Sequence, residues 1–145
     1  MGPETEKILP SDYKPRILLA DDHSLMLQTM SRLLEPEFEI VGALPNGVLA
    51  VERCAVLKPD GVVLDIRMPS MGGFEAAQEL IRSASSAKIV FLSIEQDPEY
   101  VRIATSMKAS YVSKERMYQD LIGAIKEALE GRSFVSPLGS SEAGS

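Results

Sequence analysis

The sequence predicts a doubly wound α/β fold, in which helices cover both faces of a single parallel sheet. Five short apolar segments alternate with five segments whose apolar residues recur at helical spacing, and turn-forming residues separate them. Such alternation is typical of parallel sheets, and right-handed crossovers leave few topologies open to it. Two of the apolar segments also end in carboxylates, at the sheet edge where open α/β sheets bind ligands.

The predicted strands differ in how apolar they are, and this difference predicts their order. They are placed at 16–20, about 38–42, 61–65, 88–93 and about 110–113. The first, third and fourth are almost continuously apolar and are expected in the centre of the sheet, whereas Glu39 separates Phe38 and Ile40 in the second, as in an edge strand. We therefore predict the flavodoxin-like order 2-1-3-4-5, with its switch point between strands one and three.

The predicted helices are delimited by capping and stop residues. Asn46 and Asp97 are expected N-caps, and Pro98 occupies the favoured first position of its helix. Pro36 and Gly131 mark helix exits. The five helices are placed at about 24–35, 47–57, 74–83, 98–107 and 117–130.

Length, charge and cysteine content narrow the class of protein. A chain of 145 residues fits one domain, which we place at 16–135, between a flexible leader (1–15) and a flexible tail or truncated linker (136–145). The net charge of -6, with Lys and Arg scattered singly, argues against a nucleic-acid-binding surface. The single cysteine, Cys54, excludes an internal disulfide. Without a signal peptide or an apolar run near ~20 residues, a cytoplasmic location and no membrane contact are expected.

Acidic residues follow two strands that are expected to be neighbours. Asp21 and Asp22 come directly after strand one, and Asp65 ends strand three. Clustered carboxylates repel one another unless a cation lies among them, and Mg²⁺ takes one or two carboxylates plus water and phosphate oxygens. A carboxylate can also act as a nucleophile that forms an acyl phosphate. The alternative for a single strand-end Asp is a helix cap.

Two further residues are expected at the same edge of the sheet. Lys114 follows strand five, and Ser93 ends strand four. Phosphoryl transfer depends on positioning and charge neutralisation, for which Lys114 is the natural cation. The alternatives are a solvated surface lysine and a turn or N-cap serine.

Taken together, these motifs resemble the receiver domain of a two-component response regulator. The resemblance covers about residues 16–137 and is carried by Asp21-Asp22, Asp65-Ile-Arg-Met-Pro69, Ser93 and Tyr111-Val-Ser-Lys114. The run Asp21-Asp22-His23 and the ending Gly131–Pro137 are most similar to the subfamily that precedes a LuxR-type helix-turn-helix DNA-binding domain.

The resemblance implies a function and a role for each motif residue. Asp65 would accept a phosphoryl group from a sensor histidine kinase or phosphotransfer protein, in a reaction that the domain itself catalyses without being a conventional enzyme. Mg²⁺ would be held by Asp22, Asp65 and the Arg67 carbonyl, with Asp21 acting through metal-bound water. Lys114 and Ser93 would contact the phosphoryl group, and Tyr111 would be the switch aromatic that turns inward when Ser93 moves.

The resemblance also implies an output. The surface of helix four, strand five and helix five would change on phosphorylation, to form a homodimer or to bind a partner protein, and so regulate transcription. DNA would be reached only through an output domain absent from this chain. In one departure from the family, 106–110 lacks the glycine that relatives carry before the switch aromatic and is a residue shorter, so an altered exit from helix four is expected.

Rival functions are less consistent with the same residues. A Mg²⁺-dependent aspartyl hydrolase usually has a second Asp where Arg67 stands, and a flavodoxin needs a hydroxyl-rich loop after strand one. A degenerate receiver that acts as a phosphorylation-independent protein-binding scaffold would lack an acid or the lysine, and neither is missing. His23 is not expected to bind metal or carry phosphate, since no nucleotide-binding surroundings accompany it.

Overall fold

The computed structural model describes residues 13–137, which form one parallel sheet flanked by helices. The strands are β1 Arg16–Ala20, β2 Glu39–Leu44, β3 Gly61–Asp65, β4 Lys88–Ser93 and β5 Ser110–Ser113. The helices are α1 Ser24–Leu34, α2 Gly47–Leu57, α3 Gly73–Arg82, α4 Pro98–Ser106 and α5 Met117–Leu129, with a 3₁₀ turn at Lys114–Arg116 before α5. The order β2-β1-β3-β4-β5 confirms the predicted flavodoxin-like topology. No helix within 13–137 is long and apolar enough to cross a membrane.

The sheet separates two apolar clusters, because successive strand residues point to opposite faces. Leu18 and Leu64 belong to the cluster covered by α2, α3 and α4. Ile17 and Val63 belong to the cluster covered by α1 and α5. This double burial explains why β1, β3 and β4 are nearly continuous apolar runs in the sequence.

Element boundaries follow the prediction closely, and β2 shows the largest difference. The predicted strand at 38–42 instead runs over Glu39–Leu44. The Phe38 amide donates to the Leu34 carbonyl and so belongs to the exit turn of α1. The strand continues to Leu44 because the Leu44 carbonyl accepts a hydrogen bond from the Asp21 amide, just beyond the end of β1. The predicted caps are confirmed, since Asn46 and Asp97 accept hydrogen bonds at the starts of α2 and α4.

The exit of α4 is formed without the glycine that is expected in the family. Lys108 adopts the left-handed conformation, with φ of 60°. The Lys108 amide donates to the Thr105 carbonyl and the Ala109 amide to the Ala104 carbonyl, which closes the helix end. A non-glycine residue at such a position costs about 1 kcal/mol or more.

The end of the described chain differs from the predicted flexible tail. Ser136, the first residue of that predicted tail, is 1% exposed. Val135 pairs with Tyr111 in a parallel bridge, so Phe134–Ser136 lies along the free edge of β5; we call this segment the exit strap. At the other end, Tyr13 and Lys14 of the predicted leader make hydrogen bonds to Asp60 and Glu35. Residues 1–12 of the predicted leader and 138–145 of the predicted tail lie outside the described residues.

Candidate functional site

Strand register brings the predicted site residues to one edge of the sheet. Ala20 is paired with Leu64, so the residues that follow them, Asp21 and Asp65, emerge side by side. Asp65 is paired with Leu92 on β4, and one residue later Ser93 is paired with Ser113 on β5. Lys114, which follows Ser113, therefore enters the same crevice at the switch point.

Lys114 bridges the two buried carboxylates. Its Nζ lies 3.0 Å from Asp21 Oδ2 and 3.4 Å from Asp65 Oδ1. The side chains of the three residues are 10%, 0% and 7% exposed, respectively, so the charges interact with little screening by water. We call Asp21, Asp22, Asp65 and Lys114 the acid pocket.

Asp21 keeps coordinating capacity in spite of this pairing. Its Oδ1 accepts a hydrogen bond from the His23 amide at 2.9 Å. Its Oδ2 is buried and has no hydrogen bond within 13–137, although the Lys114 ammonium lies beside it. A buried carboxylate oxygen with unused lone pairs fits a cation or a cation-bound water.

The pKa of the Asp65 carboxyl lies above its usual value. Burial raises its pKa to about 6, and the negative charge of Asp21 adds to this effect. Lys114 and a backbone hydrogen bond from Arg67 act in the opposite direction. A carboxylate with this pKa gains from any further cation in the pocket, because the cation favours the charged form.

Asp22 and His23 complete the mouth of the pocket. His23 Nδ1 lies 3.1 Å from Asp22 Oδ1 and 3.3 Å from Asp21 Oδ1. One ligand atom from each of Asp21, Asp22, His23 and Asp65 lies within 4.8 Å of all the others. The structure thus brings together the three carboxylates predicted as metal ligands, and it adds the imidazole of His23, which the sequence did not predict as a neighbour of all three.

Ser93 and Tyr111 are connected through the backbone of Glu95. The Ser93 hydroxyl accepts a hydrogen bond from the Glu95 amide at 2.9 Å, and the Tyr111 hydroxyl donates to the Glu95 carbonyl at 2.6 Å. Tyr111 is fully buried, which raises the pKa of its phenol. The ring is therefore buried, with its hydroxyl bonded to the loop that follows β4.

The Arg67 side chain leads from the pocket to the same loop. Its Nε lies 3.0 Å from Glu95 Oε2, and its guanidinium donates to the Tyr100 hydroxyl at 3.4 Å. Glu95 thus contacts Ser93, Tyr111 and Arg67. Glu95 could not be singled out from the sequence, because it lies outside every recognised motif and no spacing rule distinguishes it from an ordinary loop glutamate.

Comparison with known proteins identifies the class that this fold and site define. The family model for the response regulator receiver domain matches residues 17–126, and the chain belongs to that family. It is 36% identical over 130 residues to the transcriptional regulatory protein DegU of Brevibacillus brevis, with 88% of this chain and 55% of DegU aligned. It is 32% identical over 125 residues to the response regulator GacA of Pseudomonas viridiflava, with 84% of this chain and 58% of GacA aligned.

Solved structures agree with this assignment. A two-component response regulator of the LuxR family from Aurantimonas sp. SI85-9A1 superposes with a TM-score of 0.81 at 28% identity, over 92% of this chain and all of that one. A LuxR-family DNA-binding response regulator from Staphylococcus aureus gives 0.75 at 28% identity, over 79% of this chain and 98% of that one. The chain spans a little over half the length of the curated relatives above, so the activities of those whole proteins belong to proposals.

Proposed function

We propose that Asp65 accepts a phosphoryl group, donated by a sensor histidine kinase or phosphotransfer protein in the cytoplasm, and that this modification is the input of the domain. The observation that carries the proposal is the placement of Lys114 between two buried carboxylates at the switch point. A lysine in this position serves both states of Asp65, because it neutralises the free carboxylate and can reach the oxygens of a phosphoryl group attached to it.

The chemical step is a transfer between nucleophiles. A carboxylate oxygen of Asp65 forms a bond to phosphorus, while the bond from phosphorus to the donor's histidine nitrogen breaks and its electron pair leaves with the imidazole. Lys114 offsets charge on the phosphoryl oxygens, and Ser93 supplies a hydroxyl at the adjacent strand end. The phosphoryl group would be removed in the same pocket by hydrolysis, in which a water oxygen forms a bond to phosphorus while the bond from phosphorus to the Asp65 oxygen breaks and inorganic phosphate leaves.

A divalent cation fits the residues that are present, because Asp21 Oδ2 is buried without a hydrogen bond and all donors are hard oxygens apart from the imidazole. Mg²⁺ would be held by the Asp22 and Asp65 carboxylates and the Arg67 carbonyl, with Asp21 acting through water. When bound, it would neutralise charge on the carboxylates and the incoming phosphoryl oxygens.

Phosphorylation should be specific to Asp65 and dependent on Mg²⁺. A small phosphodonor or a cognate kinase is expected to label the wild-type protein only with Mg²⁺ present, and Asp65→Asn should remove the label because the nucleophile is lost. Mass spectrometry should place the phosphate on Asp65, and the label should be stable in acid and labile in alkali. Asp97→Asn is the matched control, since asparagine keeps the α4 cap. Phosphate on Ser93 or His23 would contradict the assignment.

Metal binding should depend on the acid pocket rather than on surface charge. We expect one weak Mg²⁺ site by isothermal titration, and the double variant Asp22→Ala with Asp65→Asn should abolish it by removing two charged ligands. Glu52→Gln is the control, because it removes one negative charge from an exposed position on α2. An unchanged affinity in the double variant would refute the site.

The output proposed for this chain is a phosphorylation-dependent change at the surface of α4, β5 and α5. Tyr111 on β5 and Glu95 ahead of α4 are hydrogen-bonded to each other, so a shift of Ser93 toward a phosphoryl group acts on both elements. The surface would bind a partner protein or a second copy and thereby control transcription. The alternative is a scaffold that binds proteins without phosphorylation. It predicts no labelling at Asp65, so the phosphorylation experiment above distinguishes it from the proposal.

A further inference from the structure

The exit strap, Phe134–Ser136, makes a hydrogen bond to three of the four residues of β5. The Tyr111 amide donates to the Phe134 carbonyl at 2.8 Å, and the Ser136 amide donates to the Tyr111 carbonyl at 2.8 Å. The Phe134 amide donates to Ser110 Oγ at 2.9 Å, and the Ser113 amide donates to Ser136 Oγ at 3.1 Å. The strap is therefore a rudimentary sixth strand on an edge that would otherwise be open.

A buried polar network fixes the strap from the side of α5. Ser136 Oγ donates to Asp120 Oδ2 at 2.7 Å, and Arg116 Nε donates to the same oxygen at 2.7 Å. Ser136 and Asp120 are 1% and 7% exposed. Burial raises the pKa of Asp120, but the hydrogen bonds from Arg116 and Ser136 outweigh it and hold the pKa below the usual value. Phe134 adds an apolar anchor by packing on the α1–α5 cluster.

The exit strap contacts a residue that directly precedes Lys114 of the acid pocket in the sequence. Ser113, whose amide bonds to Ser136, immediately precedes Lys114, whose ammonium lies between Asp21 and Asp65. The Tyr111 backbone is hydrogen-bonded to the strap. The Tyr111 hydroxyl also donates a hydrogen bond to the Glu95 carbonyl. Tyr111 and Ser113, the two β5 residues closest in contact or sequence to the pocket and its Glu95 loop, are therefore both hydrogen-bonded to the exit strap.

We propose that attachment of the exit strap to β5 is coupled to the state of the acid pocket, so that the strap transmits that state to the residues after Pro137. This inference rests on the proposed function and names a second output route beside the α4–β5–α5 surface. The strap is attached in a structure in which Tyr111 is buried, the position that the proposed switch gives to the activated state, and on that basis activation stabilises the attached form. By reciprocity, a loosened strap weakens the activated pocket by the same factor.

The first experiment measures amide exchange in the full chain with Mg²⁺, with and without beryllofluoride as an acyl-phosphate mimic. Exchange at the Phe134 and Ser136 amides should slow by roughly fivefold on activation, at the low end of typical coupling. Protected pocket amides with an unchanged or faster Ser136 amide would overturn the strap proposal alone. A pocket that does not respond to beryllofluoride at all would overturn the proposed function and this inference with it.

The second experiment tests reciprocity with variants that loosen the strap and leave the pocket intact. Ser136→Ala removes the hydroxyl shared by Asp120 and the Ser113 amide, and Asp120→Asn weakens the same network from the α5 side. Both should lower the apparent affinity for beryllofluoride roughly fivefold, whereas Ser133→Ala, at a neighbouring exposed position, should not. Faster exchange at residue 136 with unchanged affinity in both loosened variants would show that the strap is only structural and would overturn the coupling.

Discussion

Lys114→Met is expected to destabilise the metal-free protein by about 3 kcal/mol at pH 7.5, because it leaves two buried carboxylates without their shared cation. Asp21 is fully buried and Asp65 is 7% exposed, so water cannot replace the ammonium that lies 3.0 Å and 3.4 Å from them. Methionine keeps much of the side-chain volume, and the loss is therefore electrostatic. Urea denaturation in the presence of a chelator measures it.

The destabilisation by Lys114→Met should depend on pH, and the raised pKa of Asp65 determines in which direction. Burial raises that pKa to about 6, so the neutral form is favoured by folding. The stability contributed by the protonated carboxyl is complete below its unfolded value of about 4 and disappears as the pH rises through about 6. At pH 5 Asp65 is mostly neutral, Lys114 has one less charge to offset, and the effect of Lys114→Met should shrink to roughly half.

Two comparisons isolate the pocket as the cause. Lys126→Met breaks an exposed ion pair with Glu37 and should cost less than about 1 kcal/mol at either pH. Adding Asp65→Asn to Lys114→Met removes one of the unpaired charges and should recover a large part of the stability at pH 7.5. Equal losses for the two lysine variants would show that Lys114 is a surface lysine in energetic terms, the alternative that its sequence position left open.

The sheet and the acid pocket could be predicted because each depends on local features of the sequence. Buried parallel strands must be continuously apolar, and the carboxyl ends of neighbouring strands meet at one edge whatever the loops do. Asp21, Asp65 and Lys114 each follow or end such a strand directly, so their convergence requires only the correct strand order. The edge position of β2 could be predicted by the converse, because the charged Glu39 interrupts its apolar residues and a central strand would be continuously apolar.

The exit strap could not be predicted, because it depends on contacts between distant segments with no apolar pattern. Its hydrogen bonds are made by serines and by the backbone, and Ser136 stands at the start of a small, polar stretch that has the composition of a linker. The role of Glu95 was hidden for a similar reason, since its backbone rather than its side chain binds Ser93 and Tyr111. The altered exit of α4 was expected from its missing glycine, but the sequence did not indicate that Lys108 would adopt the left-handed conformation there.

A glycine that packs against the backbone of Asp65 offers the second large effect. Gly73 begins α3 in a buried position, and its amide donates to the Ile66 carbonyl at 2.8 Å. A Cβ atom built there would lie 2.4 Å from the Asp65 carbonyl oxygen and 3.0 Å from the Ile66 Cα. Both obstacles are main-chain atoms of β3 and of the residue that follows it, which cannot move aside as a flexible side chain could. Close packing of α3 against this turn therefore determines where Asp65 is held.

Gly73→Ala should consequently destabilise the protein by about 3 kcal/mol, at the upper end of what overpacking costs, and should weaken beryllofluoride binding because relief of the clash displaces Asp65. The matched control is Gly123→Ala on α5, where a Cβ would meet no atom within 4 Å. There alanine should stabilise the helix by roughly 0.5–1 kcal/mol without changing the affinity of the pocket. Chemical denaturation should show changes in stability of opposite sign for the two variants. Titration with beryllofluoride should show weaker binding for Gly73→Ala alone. A Gly73→Ala protein as stable and as tightly binding as wild type would show that α3 can retreat from the Asp65 turn.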